Sequence, residues 1–248
     1  MKAFAVLWKK ELTGYFFSPI AYVVAVFFLA SIGLIFSLLV SILAEGPAGI
    51  SIMNLLFGSP FYWMSMLVLA PVLTMRLLAE EKKSGTIETL LTAPITDAQV
   101  VLAKFLGAIC FYAFLWLPTG LFLLILRYFS VDMAPLDLGA VAGGYLGALL
   151  VGMLYLSIGL LCSALTSNQI IAAVCSFAVL LILFLAGLVE QIARDSAVRA
   201  VSSYISSYVH MLEFSRGVID SRPIVFYLSS TALVLFATVK VVESRTWK

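Results

Sequence analysis

RLLAEEKKSGTIETLLTAPITDAQVVLAK, from Arg76 to Lys104, is a charged island between two apolar runs. It holds Arg76, Glu80, Glu81, Lys82, Lys83, Glu88, Asp97 and Lys104. No charge lies between Glu45 and Arg76 on one side, or between Lys104 and Arg127 on the other. Two runs that long, joined by so polar a link, read as two membrane spans and a loop in water. The fold of the whole chain follows from that reading.

Composition agrees with it. Of 248 residues, 63% are hydrophobic and 11% charged. A soluble domain carries roughly 25% charged and 45–50% apolar residues. One soluble core cannot hide the excess, so the solvent is lipid and the chain is an integral membrane protein. A net charge of +2 is too small to argue for a nucleic-acid partner. The three cysteines, Cys110, Cys162 and Cys175, lie in apolar runs without a C-x-x-C pair, so they read as packing residues.

A helix crosses a bilayer with about 20 apolar residues. On that measure the spans are 20–43, 59–75, 105–126, 139–161, 170–188 and 224–239. The first is too long for a signal-peptide core and has no small-residue cleavage site after it, so it is expected to stay in the mature chain. Pro71 and Pro118 are expected to kink the second and third spans. The uncharged stretch from Leu138 to Val189 is too long for one crossing, and the polar cluster Ser163, Thr166, Ser167, Asn168 and Gln169 divides it. Six spans put both termini on one side. With that side inside, the inner segments carry ten Lys and Arg against five outside, which favours cytoplasmic termini.

Two flanking stretches have amphipathic spacing. Phe4, Leu7, Trp8, Leu12 and Tyr15, mixed with lysines, suit an N-terminal interfacial helix. Val198, Val201, Ile205, Tyr208 and Leu212 form one apolar face in the long outer loop, which suits a re-entrant or interfacial helix. His210, in the same loop, reads as an interfacial residue. In the fourth span, Gly139, Gly143 and Gly147 recur at spacing four and let helix backbones approach closely. That approach serves packing within one subunit or a seam between subunits.

The island divides into working parts. The second span is expected to run on as a helix through Glu80 and Lys83, until Ser84-Gly85 breaks it. A short helix then starts at Thr86 and is stopped before Pro94. Ile87, Leu90, Leu91 and Pro94 make its apolar stripe, and Glu88 in its first turn suits the positive helix end. Thr96-Asp97-Ala98-Gln99 is a capping box, flanked by the staple Ile95 and Val100. Lys104 is expected to snorkel at the boundary. A helix of about eight residues is marginal alone in water. It must dock on something, or else it is an ordinary loop helix with no partner.

The chain has no G-x-x-x-x-G-K-[ST], H-E-x-x-H or G-x-S-x-G motif. No catalytic or metal-binding residue is assigned, and one histidine makes a metal site or a triad improbable. No charge sits in the middle of a predicted span, which weighs against a proton-driven carrier. A secondary carrier or channel remains one alternative. A membrane scaffold that recruits an ATPase without moving cargo is another.

Arg76, Ala79-Glu80-Glu81-Lys82-Lys83-Ser84-Gly85-Thr86-Ile87-Glu88-Thr89-Leu90-Leu91, Pro94-Ile95-Thr96 and Val101-Leu102-Ala103-Lys104 together resemble the signature of type-two ABC exporter permeases. The outer-loop run His210, Phe214 and Arg216 to Asp220 resembles the permease subunit of gliding-motility-associated ABC transporters. The resemblance implies an all-α membrane domain over residues 1–248, with six transmembrane helices and a cytoplasmic coupling helix. It implies two ABC ATPase subunits, a second copy or a paralogous permease, and in gliding-type systems a membrane-anchored accessory subunit. ATP and Mg would sit on the ATPase partner, with no cofactor bound directly. The ATPase-coupling residues would be Glu81, Ser84, Gly85, Thr86, Ile87, Glu88, Leu90, Leu91 and Pro94. Thr166, Ser167 and Asn168 would make a second cytoplasmic contact. The location implied is the bacterial inner membrane.

Overall fold

The computed structural model describes residues 2–44, 51–86, 96–129, 137–192, 195 and 202–244. Among these residues helix is the only regular secondary structure. The helices are α1 (Lys2–Phe16), α2 (Pro19–Ala44), α3 (Ile52–Gly58), α4 (Pro60–Thr74), α5 (Ala79–Lys83), α6 (Asp97–Trp116), α7 (Thr119–Phe129), α8 (Leu138–Leu165), α9 (Gln169–Ile192), α10 (Ser207–Ser215) and α11 (Ser221–Glu243). Six helical segments are long and apolar enough to cross a membrane: Pro19–Ile42, Pro60–Lys83, Asp97–Tyr128, Leu138–Leu165, Gln169–Gly187 and Ser221–Glu243.

Local chemistry sets the helix ends. The Ser59 hydroxyl accepts from the Phe61 amide, and Pro60 opens α4 where its missing N–H costs nothing. At α6 the capping box is complete: the Gln99 amide donates to the Thr96 hydroxyl, and the Thr96 amide donates to the Gln99 side chain. Pro118 falls at the break between α6 and α7, where the Thr119 hydroxyl donates to the freed Trp116 carbonyl at 2.6 Å. Gly85 adopts a φ of 71°, the left-handed conformation that ends a helix at low cost for glycine.

The second span differs from expectation. It does not run on as one α-helix: α4 ends at Thr74, a turn follows from Met75 to Leu78, and α5 begins at Ala79. The helix carries Pro71 within its last turn, but the break comes just beyond it. It forms where a side chain from another span can take the backbone groups that the turn frees.

Helix α8 is the axis of the bundle. It packs against α4, α6, α9, α10 and α11. In its span 78% of the most apolar stretch is buried, against 28%, 22% and 17% for α2, α9 and α11. Its glycines make that contact density possible. A methyl group on Gly143 would overlap the Phe214 carbonyl oxygen, and one on Gly147 would stand 2.9 Å from the Phe214 ring. One on Gly144 would enter the Phe57 ring, and one on Gly152 the Tyr112 ring. Gly139 is exposed and meets only the Asp137 carboxylate that caps α8.

The loop before α11 is described only in part. Val198 and Val201 lie outside the described residues, and Ile205, Tyr208 and Leu212 are only half-buried. The buried line of α10 is His210, Met211 and Phe214. The reason is that α10 is enclosed by several helices: Phe214 fills the glycine face of α8, Met211 meets Tyr62 of α4, and His210 packs on Phe226 and Tyr227 of α11. His210 is therefore a packed residue, with Nδ1 3.2 Å from the Tyr227 hydroxyl. Burial lowers its pKa below the ordinary histidine value.

Candidate coupling site

The island meets the rest of the molecule at one corner, where α1, α5, the start of α6 and the α8–α9 turn converge. Its centre is Lys104. The expectation that it snorkels is wrong: its side chain is 2% exposed. The ammonium lies 2.9 Å from a Glu11 carboxylate oxygen and 2.6 Å from a Glu81 carboxylate oxygen. Lys104 cannot reach water because α1 covers it. Leu7 of α1 packs on Val100 and Ala103 of α6, with Phe4 and Trp8 beside them. One turn after Lys104, Gly107 lets α1 approach so closely that an added methyl would stand 3.1 Å from Glu11 Cβ. The buried cation thus joins three elements, through Glu11 on α1, Glu81 on α5 and its own α6.

A second set of bonds holds the Met75–Leu78 turn. Ser163, on the last turn of α8, accepts from the Leu78 amide at 3.1 Å and from the Ala79 amide at 3.0 Å. Its hydroxyl donates to the Met75 carbonyl at 3.1 Å. One buried hydroxyl therefore satisfies three backbone groups that an unbroken helix would have paired internally. Nearby, Lys82 Nζ donates to the Ala164 carbonyl, and Arg76 Nε donates to the Gln169 side chain at 3.4 Å. Tyr15 of α1 donates to the Leu73 carbonyl at 2.8 Å.

The residues expected to face a partner divide into three groups. Glu81 is turned inward to Lys104 and has only one-fifth of its side chain exposed. Ser84, Gly85 and Thr86 are exposed, and the Ser84 and Thr86 hydroxyls lie 2.9 Å apart. Ile87, Glu88, Leu90, Leu91 and Pro94 lie outside the described residues. In the α8–α9 turn, Ser167 and Asn168 are exposed and Thr166 is half-buried. The Thr166 hydroxyl accepts from the Asn168 amide, and the Asn168 side chain accepts from the Ile170 amide, which fixes the turn. The bonds from Arg76, Leu78, Ala79 and Lys82 bring this turn and the island together.

Sequence reasoning missed Glu11 as a member of the site and misplaced Lys104. Their pairing spans 93 residues, and no local pattern connects them. The usable signal was Lys104 itself, one cation in the second turn of a helix about to enter lipid. Such a charge has to find either water or a carboxylate.

An all-helical chain with six membrane-length apolar helices, braced at one end by a buried ion cluster, belongs to the polytopic membrane proteins. More narrowly, residues 51–242 match the family model described as ABC-2 family transporter protein, and the chain belongs to that family. It is accordingly a permease subunit of an ABC transporter and a multi-pass membrane protein. Subunits of this kind work with an ABC ATPase and in dimeric arrangements, and are typically not catalytic themselves. No curated protein matches the chain significantly. The matched region includes Glu81, Lys104 and Ser163, while α1 and Glu11 lie outside it.

Proposed function

We propose that this chain is the permease of an ATP-driven exporter, in which residues 84–94 form the coupling segment that receives force from a separate ABC ATPase. Two ATPase subunits would bind ATP and Mg beneath a pair of permeases, with the coupling segment in a groove of the ATPase. Thr166, Ser167 and Asn168 would make the second contact. The observation that supports this reading is the bracing behind Ser84. The exposed residues Ser84 to Thr86 follow directly on α5. Helix α5 is tied to α1 and α6 through Lys104, and to the end of α8 through Ser163 and Ala164. Displacement applied at Ser84 would be handed to three spans rather than absorbed by a loose loop.

The charge bias supports cytoplasmic termini and a cytoplasmic coupling segment, and the resemblance to exporter permeases supports the bacterial inner membrane as the location. The outer-loop likeness to gliding-motility permeases favours a role in exporting cargo or assembling a cell-surface system, with a membrane-anchored accessory subunit. Glu88→Lys and Leu90→Asp test the coupling segment in the reconstituted complex with its ATPase. Each should lower permease-dependent ATP turnover by about tenfold or more, the equivalent of about 1.4 kcal/mol of lost coupling. Normal association and normal turnover in both variants would overturn the assignment.

A further inference from the structure

A cavity of about 310 Å³ opens between α1, the start of α2 and the α4–α5 joint. Part of its lining is apolar, from Ile20, Ala21, Val72 and Leu73. The rest carries both signs of charge, with Lys10, Arg76 and Lys104 against Glu11, Glu80 and Glu81. The signs balance, so a simple anion or a simple cation would meet as much repulsion as attraction. Lys104 is already engaged by two carboxylates, whereas Lys10 is exposed and has no ion pair among the described residues. The Arg76 side chain is partly exposed, 3.5 Å from Glu80. Glu81 Oε1 holds Lys104, but Glu81 Oε2 is buried with no hydrogen-bond donor. That oxygen is closed even to a water molecule, so the carboxylate that the cavity presents to a ligand is the exposed Glu80.

The complementary ligand has a phosphate for Lys10 and Arg76, an ammonium for Glu80, and an apolar body for the apolar lining. We propose that this cavity binds the phosphoethanolamine headgroup of a membrane phospholipid. The cavity lies where α2 and α4 reach the charged end of the bundle, which is where a headgroup sits relative to two spans. Tyr22, Val23 and Val26, exposed on the next turns of α2, offer an apolar face for the acyl chains. A choline headgroup has no N–H to give Glu80, and a glycerol headgroup brings it no cation. The site therefore selects among lipids by the headgroup amine.

The test is lipid retention by the full permease–ATPase complex, read by native mass spectrometry after equilibration in mixed micelles. These contain equal amounts of phosphatidylethanolamine, phosphatidylcholine and phosphatidylglycerol. Phosphatidylethanolamine should be enriched on the protein about tenfold, as about 1.4 kcal/mol of selectivity gives. Lys10→Glu, at an exposed position, and Arg76→Gln should each abolish the enrichment. Glu80→Gln should narrow the preference over phosphatidylcholine while leaving total retained lipid unchanged. Equal retention of the three lipids, or undiminished enrichment in Lys10→Glu, would mean ordinary annular lipid and overturn the proposal. Capture of free phosphoethanolamine without retention of the lipid would overturn the membrane as its source. The lipid competition on the unmodified chain decides the matter even where Arg76→Gln fails to assemble. None of these readouts depends on ATP turnover, so they stand or fall separately from the exporter reading.

Discussion

Helix α8 is gripped differently at its two ends. Near its start, Gly143 and Gly147 have no side chains, and the space they leave is filled by Phe214 of α10, while Phe57 of α3 lies over Gly144. Around this contact stands an aromatic cluster that includes Trp63, Trp116 and Tyr145. At its other end, α8 offers the Ser163 hydroxyl to a broken helix, beside the buried Glu11–Lys104–Glu81 cluster. The first grip is shape: close van der Waals contact in which single atoms count for little and overlap is forbidden. The second is directional, made of a few strong bonds between groups that are expensive to leave unpaired. A surface held by shape resists deformation evenly. One held by a few bonds moves as a unit until a bond is lost. That difference suits one rigid end and another that passes on a displacement.

The comparison can be broken most severely at Lys104. Lys104→Met leaves two carboxylates facing each other with no cation, and removing one partner of a buried ion pair costs about 3–5 kcal/mol. Thermal unfolding in detergent should show a larger loss than any single substitution at the glycine end or at Ser163. Adding Glu11→Gln and Glu81→Gln should recover much of it. An unchanged midpoint in Lys104→Met would mean that the cluster does not brace the corner.

At the glycine end, Gly143→Ala should cost about 1–3 kcal/mol by overpacking, because the obstacle is the Phe214 backbone and not a side-chain tip. Gly139→Ala, at an exposed position, should cost much less, and equal effects would remove the case for a shape-based grip. At the stitched end, Ser163→Ala leaves the Leu78 and Ala79 amides without their acceptor, a loss of about 1–3 kcal/mol. It should also lower permease-dependent ATP turnover, whereas Gly143→Ala should act on stability first. If both variants alter turnover and stability in the same proportion, the two ends do not differ in function. The smallest effect is expected at the edge of the corner. Thr96→Ala removes half of the capping box and should cost about 1 kcal/mol, without changing the lipid or ATPase readouts.

Much of this was legible because it is local. The capping box needs only Thr96 and Gln99, three residues apart, and the Ser84-Gly85 stop needs only a glycine free to take a positive φ. The membrane-length helices follow from uncharged runs. The glycine spacing of α8 announced a close approach, but not that Phe214 and Phe57 would fill it. The break at Met75–Leu78 was illegible, since Arg76-Leu77-Leu78-Ala79 is good helix-forming sequence. It is stable as a turn because Ser163 supplies an acceptor and a donor from 85 residues away.

By itself, then, the sequence determined the lipid environment, the helical class, the helix caps and the position of the charged island. Each of these depends on composition or on residues within one or two turns of each other. Only the tertiary structure decided that Lys104 is buried, that Glu11 and Glu81 hold it, and that α10 is covered on its His210–Phe214 line. Those outcomes are settled by which surfaces meet. A charge near a helix end can be satisfied equally well by water or by a distant carboxylate, and the packing of α1 on α6 made the choice.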